Sequence, residues 1–156
     1  MKRSVFVAVA AGAMIAAGAA NAQIVPQSPV TVDLVMDAFQ SVLVTNCTAT
    51  VAGTVSGNTL SLATNGVTFA GAGACSAVTM TSDILITYSP TSSSSADVDI
   101  SNINTTSVLG TCNQGGGSIS GTANLSGGGA SGAIPGTPTS CTFAVAFANT
   151  PAFTSF

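Results

Sequence analysis

The chain has 156 residues, with two basic and five acidic side chains, no histidine and a formal net charge of −3. Its only cations are Lys2 and Arg3, so the rest of the chain has nothing with which to neutralise nucleic-acid phosphate or dock on anionic membrane lipid. Beyond Arg3 the chain has no Lys, His or Glu for general acid–base catalysis.

The chain opens on Lys2 and Arg3, continues through an apolar run from Val5 to Ala20, and reaches the small-x-small triplet Ala20-Asn21-Ala22. That order predicts a signal peptide over residues 1–22 and a mature N-terminus at Gln23. A membrane-spanning helix is disfavoured, because the run is short, rich in Ala and Gly, and ends in a cleavage motif. The remaining 134 residues suit one all-β secreted domain over residues 23–156, charged only at Asp33, Asp37, Asp83, Asp97 and Asp99. The expected location is exported: extracellular, on the outer surface or periplasmic.

Gln23 to Pro29 reads as an extended, loosely held leader. Val30, Val32, Leu34 and Met36 then follow a period of two, which predicts a strand. A short helix after Asp33 is the alternative, since Leu34, Val35, Ala38 and Phe39 also fit a helical face. Leu43, Cys47, Ala49, Val51 and Val55 share one parity and Thr48, Thr50 and Thr54 the other, the pattern of a half-buried strand. Gly57-Asn58 and Asn65-Gly66 are turn signals, with Leu60 and Leu62 between them. A second strand runs on towards Phe69, and Gly71 and Gly73 mark a bend.

Ile84, Ile86 and Tyr88 alternate as a further strand. Pro90 and the serines at 92–95 predict an exposed loop. Val98 and Ile100 alternate with Asp97 and Asp99, while Ile103 falls out of parity, which predicts a bulge near Asn102. Ile119, Gly121, Ala123 and Leu125 line one face of the next strand. Gly127-Gly128-Gly129 and Pro135 to Pro138 read as loops. Cys141, Phe143, Val145 and Phe147 form the last strong strand. Short alternating strands separated by turn signals predict a single-domain antiparallel β-sandwich or barrel-like fold, stapled by disulfides. The scarcity of charge leaves its strand edges poorly protected against association.

Four cysteines in an exported chain predict two disulfides, for which three pairings exist. Sequence alone does not choose among them. Cys47 to Cys75 and Cys112 to Cys141 have nearly equal length, and Gly53-Thr54-Val55-Ser56-Gly57 and Gly117-Ser118-Ile119-Ser120-Gly121 stand at similar places within them. This apparent repeat argues for the sequential pairing. A metal site is disfavoured, for want of close Cys spacing and of His. Asp97 and Asp99 share a strand face, but two carboxylates are few for a hard cation, and a solvated acidic face is the simpler reading. Asn46, Asn104 and Asn124 head three glycosylation sequons, which arise readily in a Ser/Thr-rich chain. Phe156 is a weak echo of outer-membrane barrels, and the chain has no Trp and one Tyr with which to build their aromatic girdles.

Several motifs, taken in order, resemble the secreted bacterial proteins named as activators of alkane oxidation (PraB-like). They are Cys47-Thr48-Ala49-Thr50, Gly53-Thr54-Val55, Phe69 with Gly71, Cys75-Ser76-Ala77-Val78, Leu109-Gly110-Thr111-Cys112, Ile119 with Gly121, Pro135-Gly136-Thr137-Pro138 and Cys141. The resemblance covers roughly Leu43 to Val145. After Met80 the chain departs from it, with Asp83-Ile84-Leu85-Ile86 where a tryptophan-containing stretch is common.

What the resemblance implies is an exported, non-enzymatic accessory that promotes growth on hydrocarbons; with the nearly charge-free surface beside it, the expected route is action at oil–water interfaces or binding of apolar molecules. It carries over no catalytic, cofactor-binding or metal residue; the residues singled out are Cys47, Cys75, Cys112 and Cys141. The expected partners are hydrocarbon or other apolar molecules, or other surface protein subunits, with no nucleic acid and no anionic-membrane docking. The competing reading is a fibre subunit or pilus-like adhesin, in which the Val30 to Met36 strand is donated to a neighbour's sheet edge. Sugar binding by stacking is disfavoured by the shortage of aromatic residues.

Overall fold

The structure is a computed structural model that describes residues 23–25, 29–40, 42–92, 94–108, 110–124, 127–148 and 152–154. The signal-peptide reading of residues 1–22 lies outside the described residues, as does Phe156. In chain order the strands are β1 (Gln23–Val25), β2 (Pro29–Gln40), β3 (Val42–Ser56), β4 (Thr59–Leu62), β5 (Thr79–Met80), β6 (Ile84–Ser92), β7 (Ser95–Ser101) and β8 (Asn104–Ser107). They continue with β9 (Gly110–Asn113), β10 (Ser118–Asn124), β11 (Gly127–Ile134), β12 (Gly136–Thr137), β13 (Cys141–Ala148) and β14 (Ala152–Thr154). A single 3-10 turn, Cys75–Ala77, precedes β5.

Eight strands close into an antiparallel barrel in the order β10-β11-β13-β2-β3-β4-β6-β7, with β7 pairing back onto β10. The all-β expectation therefore holds, and the barrel is the form it takes. Alternation sets what faces inward. Along β13, Cys141, Phe143, Val145 and Phe147 are buried while Thr142, Ala144, Ala146 and Ala148 are exposed. Along β7, Ala96, Val98 and Ile100 point in and Asp97 and Asp99 point out. Leu34, Met36, Leu60, Leu62, Ile84, Ile86 and Ile100 complete the interior, with Tyr88 meeting Phe147 edge to face at 6.3 Å. These inward side chains belong to one buried hydrophobic cluster, so this interior is a packed core.

The glycine run at 127–129, expected to be a loop, is the start of β11. Its residues pair with β10 on one side and β13 on the other. A Cβ on Gly127 would strike the Phe147 carbonyl, and one on Gly128 would lie 2.6 Å from Ala123 Cβ. Glycine here permits close approach of ladders at a tightly curved wall rather than a turn.

Pro135 to Pro138, also expected to be a loop, contains β12, which pairs with β9, and four other expectations change. Gln23–Val25 is paired with β14 rather than loose. The serine-rich stretch is a tight turn, with Ser92 paired to Ser95 and a register shift between Pro90 and Ser92. Val67 and Phe69 belong to no strand; the chain there makes isolated bridges, Thr48 to Ala70 and Thr68 to Thr79. Asn102 is no bulge: it sits at φ 66°, where β7 has ended and the chain leaves the barrel. Asparagine tolerates that left-handed region better than most residues.

The two ends of the barrel differ. One end carries the tight Gly57-Asn58 turn and, beyond the start of β2 and the end of β13, the β1–β14 ribbon. The other is covered by a second sheet, β12-β9-β8-β5. There, Cys47 is joined to Cys75 and Cys112 to Cys141, with Cα–Cα distances of 5.3 and 6.0 Å. Two buried glutamines stitch this end together. Gln40 Nε2 donates towards the carbonyls of Thr111, Thr137 and Thr139 at 3.4, 3.1 and 3.0 Å. Gln114 Nε2 donates to the Ile100 carbonyl at 2.9 Å, while its Oε1 accepts from the Ile103 N–H at 2.8 Å.

Candidate functional site

Because the interior is filled, contact with another molecule falls to the outer wall and the barrel ends. The four cysteines do not gather into a site; they form two separate bridges, which leaves no thiolate among them to act as nucleophile or ligand. Four of the five aspartates hold the fold. Asp37 Oδ1 accepts from the Asn46 N–H at 2.6 Å, which secures the register shift between Met36 and Ala38. Asp33 accepts from the Thr50 hydroxyl at 2.7 Å, Asp83 from the Asn65 N–H at 3.0 Å and Asp99 from the Ser120 hydroxyl at 2.6 Å. Asp97 and Asp99 stand exposed on β7 with Ser89 and Thr87 beside them on β6, which is a solvated polar face. Among the described residues, no three His, Cys, Asp or Glu side chains come together in a metal-binding group.

Among the described residues, the outer wall carries a concavity. A shallow groove of about 380 Å³ crosses β2, β13, β11 and β10. Ala144, Ala146, Gly129 and Gly121 form its floor, Val35 and Asp37 stand on one side, and Ser120 and Thr122 on the other. The floor is low because Gly129, paired with the outward-facing Thr122 and Ala146, leaves no side chain on this face. Its lining is mostly apolar and contains no cation, so it suits a slim neutral ligand or an apolar surface better than an anion.

The second sheet presents a different feature. In β8–β9, Thr105 pairs with Cys112 and Ser107 with Gly110, so Val108 stands at the hairpin tip. Val108 is 87% exposed, against 36% for Val35, the other large hydrophobic residue on the described surface. Neither Val108 nor Gln40 stands in a motif that the sequence alone singles out. The cue for Gln40 was its position as a polar residue between Ala38-Phe39 and Val42-Leu43.

The whole chain, residues 1–156, matches the family model described as "Alkane oxidation protein activator PraA/PraB-like". No curated protein and no solved structure matches it.

Proposed function

The chain belongs to this PraA/PraB-like family of alkane oxidation protein activators, and from that premise we propose that it is a non-enzymatic exported accessory that acts at oil–water interfaces. The family is named for activation rather than for an oxidation step. Two disulfides are compatible with an oxidising compartment outside the cytoplasm. The observation that carries the reading is the division between wall and interior. Apolar side chains fill the barrel, so alkane is met at the outside rather than enclosed. The outside is built from Thr, Ser, Ala and Gly, and its few carboxylates are mostly engaged in hydrogen bonds. A wall with so few charges avoids the largest desolvation cost, that of an ion, when it meets an apolar phase.

Purified mature protein should lower the hexadecane–water interfacial tension and stabilise a hexadecane emulsion. An effect no greater than that of an inert globular protein of equal mass would reject the reading.

A second reading, a fibre subunit, is kept by one observation: the β1–β14 ribbon is a ladder outside both larger sheets. The donated strand would then not be Val30 to Met36. That segment lies within β2, which is hydrogen-bonded to β13 on one side and β3 on the other, so removing it opens the barrel. Deleting residues 23–25 should leave the barrel folded and, on this reading, abolish filaments seen by electron microscopy. Filaments that survive the deletion would count against the ribbon.

A further inference from the structure

We infer that the β8–β9 hairpin is a rigid apolar fingertip that enters a liquid hydrocarbon surface through Val108. The inference rests on the interfacial reading above and says where contact begins.

A single exposed apolar residue is ordinary on a protein surface; its position is what distinguishes Val108. With Ser107 paired to Gly110, the connection between the strands is two residues long. Such connections are the province of Asn, Asp and Gly, whose backbones and polar side chains suit tight turns in water. This one reads Val108-Leu109 in the sequence. Departure from local turn chemistry without a packing gain is the pattern expected at a functional position, and Val108 gains no packing, being 87% exposed.

The tip is also held still. Cys112, on the returning strand, is buried and bonded to Cys141 of the barrel wall. The Thr111 carbonyl faces the buried Gln40 amide. Gly110 lies so close to the Thr137 carbonyl that a Cβ would strike it. An apolar group on a pinned support loses little conformational freedom when it is buried.

The chemistry of the hairpin selects the partner. Proteins that dock on lipid bilayers use Lys or Arg towards headgroups and Trp or Tyr at the headgroup level. Residues 104–113 contain none of these. What remains is an uncharged strand pair with Val108 exposed at its tip, which suits a bare alkane surface.

The test measures adsorption of the mature protein to hexadecane droplets, by its depletion from the aqueous phase, beside phosphatidylcholine vesicles. Wild-type protein should partition to droplets, and Val108→Asp should do so about tenfold more weakly, the loss expected when one Val side chain no longer leaves water. Its thermal midpoint should match wild type, which separates lost adsorption from lost fold. Equal adsorption of wild type and Val108→Asp would overturn the fingertip while leaving the interfacial reading in place. No adsorption by wild type would remove both. Vesicle binding as strong as droplet binding would overturn the choice of hydrocarbon.

Discussion

The two cysteine-bounded segments look like copies and behave as opposites. Their bridges span 28 and 29 residues, and each segment carries a five-residue motif that begins and ends with Gly. Yet Cys47 lies within barrel strand β3 and reaches Cys75 in the 3-10 turn, so the first bridge fastens an irregular connection against the barrel. Cys112 lies in β9 and reaches Cys141 at the start of β13, so the second bridge fastens one sheet to another. The motifs diverge in the same way. Gly53 to Gly57 ends a strand at a hairpin turn, whereas Gly117 to Gly121 begins one. Equal spacing in sequence therefore set equal loop lengths, not equivalent structures.

Removing the bridges one at a time tests that difference most strongly. The chain-entropy model gives about 3.5 kcal/mol for each loop, so Cys47→Ala/Cys75→Ala and Cys112→Ala/Cys141→Ala should each lower the urea-derived stability by roughly that amount. Their hydrogen-exchange patterns should separate. The first pair should expose amides of residues 63–78, and the second those of β8, β9 and β12. Identical patterns would mean that the two bridges do the same job after all.

The glycines give the next largest effects. Gly121→Ala places a Cβ against the Gly129 carbonyl and 2.7 Å from Ala130 Cα, both of them backbone, and should cost about 3 kcal/mol. Gly57→Ala meets no atom but sits at φ 57°, so its cost should be about 1 kcal/mol. Gly117→Ala finds only the Gln114 carbonyl at 3.6 Å and should stay within about 0.5 kcal/mol of wild type. Matching losses at Gly57 and Gly121 would restore the idea of a repeat.

Buried polar groups sharpen the contrast with effects smaller than that of Gly121→Ala. Gln40→Leu leaves the carbonyls of Thr111, Thr137 and Thr139 without their donor and should cost about 2 kcal/mol. In the first segment, the Thr64 hydroxyl donates to the Ser82 carbonyl at 2.8 Å and accepts from the Ile84 N–H at 2.9 Å. Thr64→Val should cost about 1.5 kcal/mol. Chemical denaturation reads both, and a Thr64→Val loss well above that of Gln40→Leu would reverse the order.

Much of this architecture was legible because alternation is a local property. Phe143, Val145 and Phe147 declare a buried face within one strand, and Val51 and Val55 do the same in another. Which strand neighbours which is not local, and so the sequence left sandwich and barrel open. β13 sits between β2 and β11, a placement that no parity rule encodes. Gly127-Gly128-Gly129 misled for a related reason: glycine marks freedom in a turn and close approach in a wall, and only the neighbouring ladders tell the two apart. The candidate surface was harder still to read. Val108 carries no motif, and its meaning comes from exposure at a turn whose limits depend on the Ser107–Gly110 pairing. Gln40 stayed hidden because its acceptors lie 71 to 99 residues away in the chain.

The closed ring has a kinetic consequence. Every barrel strand is held by a ladder on each side, so none can be peeled from an edge. The ladder that joins the front of the chain to its rear includes Asp33 opposite Ala148. Closure must therefore wait until nearly the whole chain is present, and pairings so distant in sequence form slowly, in milliseconds to seconds. Once the ring is shut, a strand can leave it only by losing two ladders at once. Its amides should then exchange with solvent together, through global unfolding, while the second sheet and the β1–β14 ribbon exchange earlier and piecemeal. A chain of this design stays pliant while it is being made and becomes resistant to unfolding once its last long strand has arrived.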